Sequence, residues 1–226
     1  MVFDRRLIGR AGLLLGLLAA WGLAVALYIH FFSGHAPATA HKDLTGTNYF
    51  QKNLASADFT GSTLLQADFS RAILTKARFV SANLAGAKLR GANLADATLE
   101  HAMLDSATLE GATLTGADLR HADMTNAKLR FADLSHANLS GAILIGADLK
   151  GANLKFADLT GAHLVGANLE DANLQDADLQ DADLRATDFK GTKLTRANLA
   201  GADLTDAQIQ KVSLREVHLS ERTKLP

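Results

Sequence analysis

Serine, histidine and aspartate side chains, the types that carry nucleophilic and acid–base chemistry, recur throughout residues 42–221. They recur at a fixed spacing, and a regular array does not gather such groups into the concave, partly dry site that catalysis requires. The chain contains no cysteine, which excludes thiolate zinc sites, disulfides and a cysteine nucleophile. These residues therefore predict no catalytic site and no cofactor.

The fixed spacing comes from a five-residue repeat that runs unbroken through residues 42–221. Every fifth residue from position 44 to position 219 is Leu or Phe, with three exceptions: Tyr49, Met124 and Ile209. Two positions earlier, from Ala57 to Ala207, the residue is Ala except at Ser62, Thr187 and Thr192. The residue between them is most often Asp or Asn.

This period excludes an amphipathic helix, although a composition rich in Ala and Leu favours helix by propensity. Five steps of about 100° advance about 140°, so the leucines would spiral over every face of a helix. The small, polar, large alternation within each unit is typical of a three-residue strand. The other two residues, which frequently include Gly, are typical of a turn. Such short strands must coil so that equivalent faces pair.

The ADL units at 117–119 and 182–184 and the ANL unit at 152–154 resemble the pentapeptide-repeat family, whose units follow A(D/N)LXX. The resemblance covers about four-fifths of the chain. It implies an all-β fold, a right-handed quadrilateral parallel β-helix with four pentapeptides per coil. Residues 42–221 would then form about nine coils, spaced ~4.8 Å apart, with Leu and Phe filling the interior and Ala at the corners.

An uncharged apolar run of 22 residues, 11–32, precedes the repeats. As a helix it would span about 33 Å, enough for a bilayer core of roughly 30 Å. Arg5, Arg6 and Arg10 lie before it, and residues 33–40 contain no Lys or Arg. The positive-inside rule then places the N-terminus in the cytoplasm. This predicts one transmembrane α-helix or uncleaved signal anchor.

A cleaved signal peptide is the alternative, because Ala38-Thr39-Ala40 supplies an A-x-A site. Cleavage near Ala40 would yield a secreted repeat protein. The apolar run is longer than the usual hydrophobic region of roughly 7–15 residues, which favours the anchor. The predicted organisation is a basic cytoplasmic segment (1–10), the membrane helix (11–32), a linker (33–41), the β-helix (42–221) and a C-terminal tail (222–226).

With four units per coil, residues twenty apart would stack on one face. The face centred on positions 104, 124, 144 and 164 carries four outward apolar residues: Met103, Ile143, Ile145 and Val165. Two of them stand where most units have Asp or Asn. The cluster predicts a docking patch for a partner or for the membrane, and the alternative is a scatter of apolar residues that the fold tolerates.

Other outward residues carry weaker signals. His101 and His121 would stack beside Glu100, which gives too few ligands to predict a metal site. Phe131 and Phe156 stand at turn positions where Gly or a polar residue is usual. A column of alternating charges predicts exposed ion pairs: Arg90, Glu110, Arg130, Lys150, Glu170 and Lys190.

These features predict a non-enzymatic, membrane-anchored scaffold that presents a rigid rod for protein–protein contact. It would be a single-pass inner-membrane protein whose repeats are periplasmic or extracellular. Some relatives mimic duplex DNA and bind type II topoisomerases. From residue 41 onwards, however, 20 Lys and Arg oppose 23 Asp and Glu. That near-neutral charge and the anchor disfavour the DNA-mimic function, so no nucleic acid partner is expected.

Overall fold

The computed structural model describes residues 41–210 and 212–226. The predicted basic segment with Arg5, Arg6 and Arg10, the predicted membrane helix at 11–32 and residues 33–40 of the linker lie outside the described residues. Within the described ranges, no helix has the length and apolar character needed to cross a membrane.

The described residues form a parallel β-helix with a coil of twenty residues. Each five-residue unit contributes one bridged residue followed by a two-residue turn, such as the bridge at Asp43 and the turn at 45–46. The bridges run from Asp43 to Thr63 through to Asn198 and His218, always parallel and always between residues twenty apart. Four units per coil, as predicted, are therefore confirmed.

The coil has four faces, which are numbered by the positions of their central residues. Face 1 holds positions 44 to 204, face 2 holds 49 to 209, face 3 holds 54 to 214 and face 4 holds 59 to 219, each in steps of twenty. The second turn residue of each unit forms the corner between consecutive faces.

A unit with Asp or Asn before its central residue can satisfy all five of its backbone N–H groups, as residues 133–137 illustrate. Three of them, on Asp133, Leu134 and His136, donate to carbonyls of the neighbouring coils at 2.7–3.0 Å. The N–H of Ala137 donates back across the turn to the carbonyl of Leu134 at 3.1 Å. The fifth, on Ser135, donates to Oδ1 of Asp133 at 3.1 Å. The coil thus leaves no backbone donor without an acceptor in this unit.

The Asp or Asn before the central residue is explained by that fifth bond. From Asp43 to Asp203, every Asp or Asn at this position accepts a hydrogen bond from the N–H two residues later. Short side chains with an acceptor oxygen make this local turn readily. The polar position of the repeat therefore closes the turn.

The corner residues adopt the left-handed conformation that the third position of a type II turn requires. Their φ angles lie between 53° and 75° at glycines and non-glycines alike. A corner side chain projects over the next coil, where a glycine gives it room. Phe131 lies over Gly151 and His121 lies over Gly141 in this way.

The core is filled by the central and alanine positions. From position 54 to position 207 these residues are at most 5% exposed. Aromatic rings fill the first coils, and Phe59 stacks on Phe79 with centroids 4.9 Å apart. Thr187 and Thr192 replace alanine without leaving a buried hydroxyl unpaired, since each donates to a backbone carbonyl of the preceding coil, at 3.0 and 2.7 Å.

The ladder becomes irregular at its C-terminal end. No bridge joins Lys193 to residue 213 in the described part of the chain, and Val212 and Val217, at alanine positions, are half-buried instead of buried. Lys224 then bridges to Asp203, twenty-one residues away. The ladder therefore passes the predicted boundary at residue 221, with a one-residue slip that the repeat pattern does not show.

Candidate interaction surfaces

The predicted apolar patch lies on face 1, but the structure brings together only three of its four residues. Ile145 is 43% exposed, and Ile143 and Val165 are half-buried beside it on consecutive coils. Met103, 45% exposed, is separated from Ile143 by Asp123, which bridges to both. The contiguous surface, called here the face-1 cluster, is therefore Ile143, Ile145 and Val165. It contains no titratable group and can serve only apolar contact.

The two stacked histidines do not assemble a metal site. The rings of His101 and His121 are nearly parallel, at 12°, with centroids 5.2 Å apart. Glu100, the nearby carboxylate of the sequence analysis, forms an ion pair with Arg120 at 3.4 Å. Across residues 41–210 and 212–226, no group of three or more His, Cys, Asp or Glu is placed to hold a metal ion.

The predicted column of ion pairs forms only in part. Glu170 pairs with Lys150 at 2.5 Å and with Lys190 at 3.4 Å. The hydrogen bond from Lys150 is the main cause that lowers the pKa of Glu170. Arg130 pairs with Asp148 instead of with a member of the column. The ladder prediction is therefore wrong for the N-terminal half of this column.

The carboxylates at 170–188 are largely neutralised by neighbouring cations. Arg196 holds Asp176 at 2.6 Å, and its hydrogen bonds lower the pKa of that carboxyl. Arg185 and Asp183 form a second pair at 2.7 Å. Exposed pairs of this kind contribute little to stability because solvent screens them. This region therefore presents a mixed-charge surface.

A groove that the sequence analysis missed runs along the corner between faces 2 and 3. This groove, called here the corner groove, has a volume of about 490 Å³. Its lining residues are Phe50, Ser70, Arg71, Arg90, Gly91, Glu110 and Gly111. The floor is glycine on two consecutive coils, so no side chain fills the corner there. The sequence feature that could have indicated this groove is the pair Gly91 and Gly111, which are twenty residues apart.

Two exposed aromatic residues stand at corners on either side of face 3. Phe131 is 64% exposed with φ 56°, and Phe156 is 45% exposed with φ 61°. Phe156 stacks on His136 at 4.9 Å, and Lys155 lies 4.8 Å from its ring centroid. Positive φ is uncommon for a bulky residue, so neither backbone preference nor burial explains these two phenylalanines.

The family model for pentapeptide repeats (8 copies) matches residues 53–91, 92–130, 122–155, 152–191 and 182–220. The chain belongs to the pentapeptide-repeat family. The match spans most of the described β-helix, so the regular faces of this pentapeptide-repeat protein follow from the repeat pattern of the family. The comparison with curated proteins finds no match.

Several solved pentapeptide-repeat structures are similar to this pentapeptide-repeat protein. HetL of the cyanobacterium Nostoc, involved in heterocyst differentiation regulation, is 30% identical over 84% of this chain and 94% of its own, with a TM-score of 0.48. A protein of the Arabidopsis thaliana thylakoid lumen is 30% identical over 66% and 79%, with a TM-score of 0.24. Trypsin-treated QnrB1, a plasmid-mediated fluoroquinolone resistance protein, is 21% identical over 83% and 92%, with a TM-score of 0.44.

Proposed function

We propose that this pentapeptide-repeat protein is a non-enzymatic scaffold, anchored in the inner membrane by residues 11–32. Its β-helix would present a rigid rod for protein contacts on the periplasmic or extracellular side. The uncharged run of 22 residues and the preceding Arg5, Arg6 and Arg10 support the anchor and its orientation.

The filled interior of the β-helix is the observation that carries the scaffold role. The buried polar side chains of the described residues are Ser62, Thr187 and Thr192, and all three are uncharged hydroxyl groups. Reaction sites need convergent polar groups in a concave, water-poor pocket. A closed apolar core with variable outer faces supports surface recognition instead.

The face-1 cluster is the contact surface proposed for a partner protein. Ile143 replaces the Asp or Asn that closes the turn in most units. The position therefore loses the local hydrogen bond that Asp123, one coil earlier, accepts from the N–H of Thr125 at 3.0 Å. Apolar side chains at these outward positions neither pack in the core nor close the turn. Burying them against a partner would contribute about 25 cal/mol per Å² of apolar area.

Affinity capture of the full-length chain from detergent-solubilised membranes tests this proposal. The variant Ile143→Asp/Ile145→Asp should lose a partner that the wild-type chain retains. The matched control is Ile73→Asp, because Ile73 is 44% exposed and occupies the same repeat position on face 3. Recovery of the same proteins with all three chains would contradict a contact at the face-1 cluster.

Secretion after cleavage near Ala40 is the alternative to the anchor, and it leaves the β-helix unchanged. N-terminal sequencing of the mature chain distinguishes the two: a start at Met1 or Val2 supports the anchor, and a start near His41 supports secretion. The DNA-mimic function stays disfavoured, since 20 cationic and 23 anionic residues from position 41 onwards leave little net charge.

A further inference from the structure

Two arginines of the described residues form no ion pair, and both lie at the corner groove. Of the arginines in residues 41–210 and 212–226, only Arg71 and Arg90 have no carboxylate within 4.0 Å. Both line the same groove. Glu110, on the next coil below Arg90, also forms no ion pair with a described residue. These charges thus remain available to a ligand.

The lining of the groove carries a net positive charge. Arg71 and Arg90 are its two cations, and Glu110 is its one carboxylate. A positive surface of this kind attracts carboxylates over distances of about a Debye length, roughly 8–10 Å.

The floor of the groove offers space but no free backbone donors. The N–H groups of Gly91 and Gly111 already donate to the carbonyls of Glu110 and Arg130, at 3.0 and 2.9 Å. A Cβ at Gly111 would meet nothing within 4 Å, whereas at Gly91 it would lie 3.7 Å from Cγ of Arg71. Recognition of an anion in this groove therefore falls to the two guanidinium groups.

We propose that the corner groove binds an acidic, extended segment of a partner protein, whose carboxylates pair with Arg71 and Arg90. Guanidinium groups bind carboxylates in a bidentate geometry. The groove follows the stacking direction, and an extended segment at about 3.3 Å per residue can direct alternate side chains towards it. Phe50, 43% exposed, offers an apolar wall for the side-chain stems.

Glu110 favours a protein segment over a nucleic acid as the occupant. A continuous phosphate backbone would place negative charge beside this carboxylate at every nucleotide, whereas an extended peptide directs only alternate side chains towards the groove. The inference rests on the proposed protein-binding role, but it concerns a different surface from the face-1 cluster.

Fluorescence anisotropy with fluorescein-labelled hexaglutamate and the full-length chain in detergent tests the charge requirement. Arg71→Glu/Arg90→Glu should weaken binding about tenfold or more, because both cationic partners are reversed. Lys193→Glu is the control for one charge reversal, since Lys193 is exposed and forms no ion pair with a described residue. It should bind within about twofold of the wild-type chain.

A second variant fills the groove without changing its charge. Gly91→His adds a ring at a corner position, and at such positions four histidines already occur at φ 55–59° (His41, His101, His121 and His136). The new ring would lie over Gly111, as His121 lies over Gly141. Hexaglutamate should bind at least about fivefold more weakly, while the control Gly161→His should not change binding.

Three results would overturn the proposal. One is equal affinity of the wild-type and Arg71→Glu/Arg90→Glu chains for hexaglutamate, and another is no binding by the wild-type chain at about 1 mM, the weakest affinity worth assigning. The third is tighter binding of a single-stranded oligonucleotide that the same reversal abolishes. Loss of a partner in Ile143→Asp/Ile145→Asp alongside any of these would leave the scaffold role standing.

Discussion

The side-chain amide of Asn153 donates from Nδ2 to Oδ1 of Asp133, 2.9 Å away on the preceding coil. The same oxygen accepts the N–H and the hydroxyl of Ser135, at 3.1 and 2.7 Å. Partial burial acts to raise the pKa of Asp133, but these hydrogen bonds outweigh it and hold the pKa below its usual value. One carboxylate thus closes its own turn and joins two coils.

Replacing Asp133 with alanine should therefore destabilise the β-helix by about 1–2 kcal/mol, because three donors lose their acceptor. Asp133→Asn keeps the Oδ1 acceptor and should cost much less. Urea unfolding of the two variants measures the difference. Equal losses of unfolding free energy in both would show that the acceptor oxygen does not stabilise the turn.

Acid should destabilise the fold through the turn carboxylates. Six of them have a lowered pKa in the folded state, caused mainly by hydrogen bonds within their turns: Asp43, Asp58, Asp68, Asp118, Asp133 and Asp183. In the unfolded chain, the pKa of an aspartate is about 3.9. Their contribution is therefore complete above that pH and is lost as the pH falls through the lowered values.

We expect the free energy of unfolding to decline below about pH 4 and to change little between about pH 5 and 6. Urea unfolding from pH 2.5 to pH 6 measures this, and Asp133→Asn should flatten the decline. A constant unfolding free energy down to pH 2.5 would contradict the role of these carboxylates.

The central leucines should carry most of the packing energy. Leu144 is fully buried, and truncation to alanine should cost about 2–5 kcal/mol through the cavity left behind. Ile145→Ala, one residue later and facing outward, serves as the control and should cost under about 1 kcal/mol. Thermal unfolding of Leu144→Ala at the wild-type temperature would refute the packing described above.

Glycine at the corner beneath Phe131 should tolerate alanine poorly. A Cβ at Gly151 would lie 2.6 Å from the Phe131 ring, whereas one at Gly161 meets nothing within 4 Å. Both glycines have positive φ, so each substitution by alanine should lower the free energy of unfolding by about 1–2 kcal/mol, because a residue with a Cβ disfavours the left-handed conformation. Urea unfolding should show an additional loss for Gly151→Ala that disappears when Phe131 is also alanine.

Much of the fold follows from the five-residue period. The period determines which residues face inward, and Leu144 and its equivalents lie buried where the pattern places them. Family membership supplies the twenty-residue coil and hence the neighbours of each outward residue. The one-residue slip between Asp203 and Lys224 could not be predicted, because it follows turn geometry after the repeat has ended.

The interaction surfaces were less predictable, because a shared column does not determine where long side chains point. Lys150 and Glu170 pair across one coil, but Arg90 and Glu110, equally spaced, do not. Asp123 interrupts the apolar column between Met103 and Ile143 although all three share a face. The corner groove exists because Gly91 and Gly111 carry no side chains. An analysis that considers only outward side chains does not detect a groove of this kind.

The scaffold proposal is tested most directly by the side of the membrane on which the β-helix stands. Alkaline phosphatase fused after Pro226 folds to an active enzyme only outside the cytoplasm, so its activity in intact cells reports that side. The anchor at 11–32 with Arg5, Arg6 and Arg10 before it predicts high activity in the membrane fraction. An intact fusion that is inactive would place the β-helix in the cytoplasm and contradict the proposal.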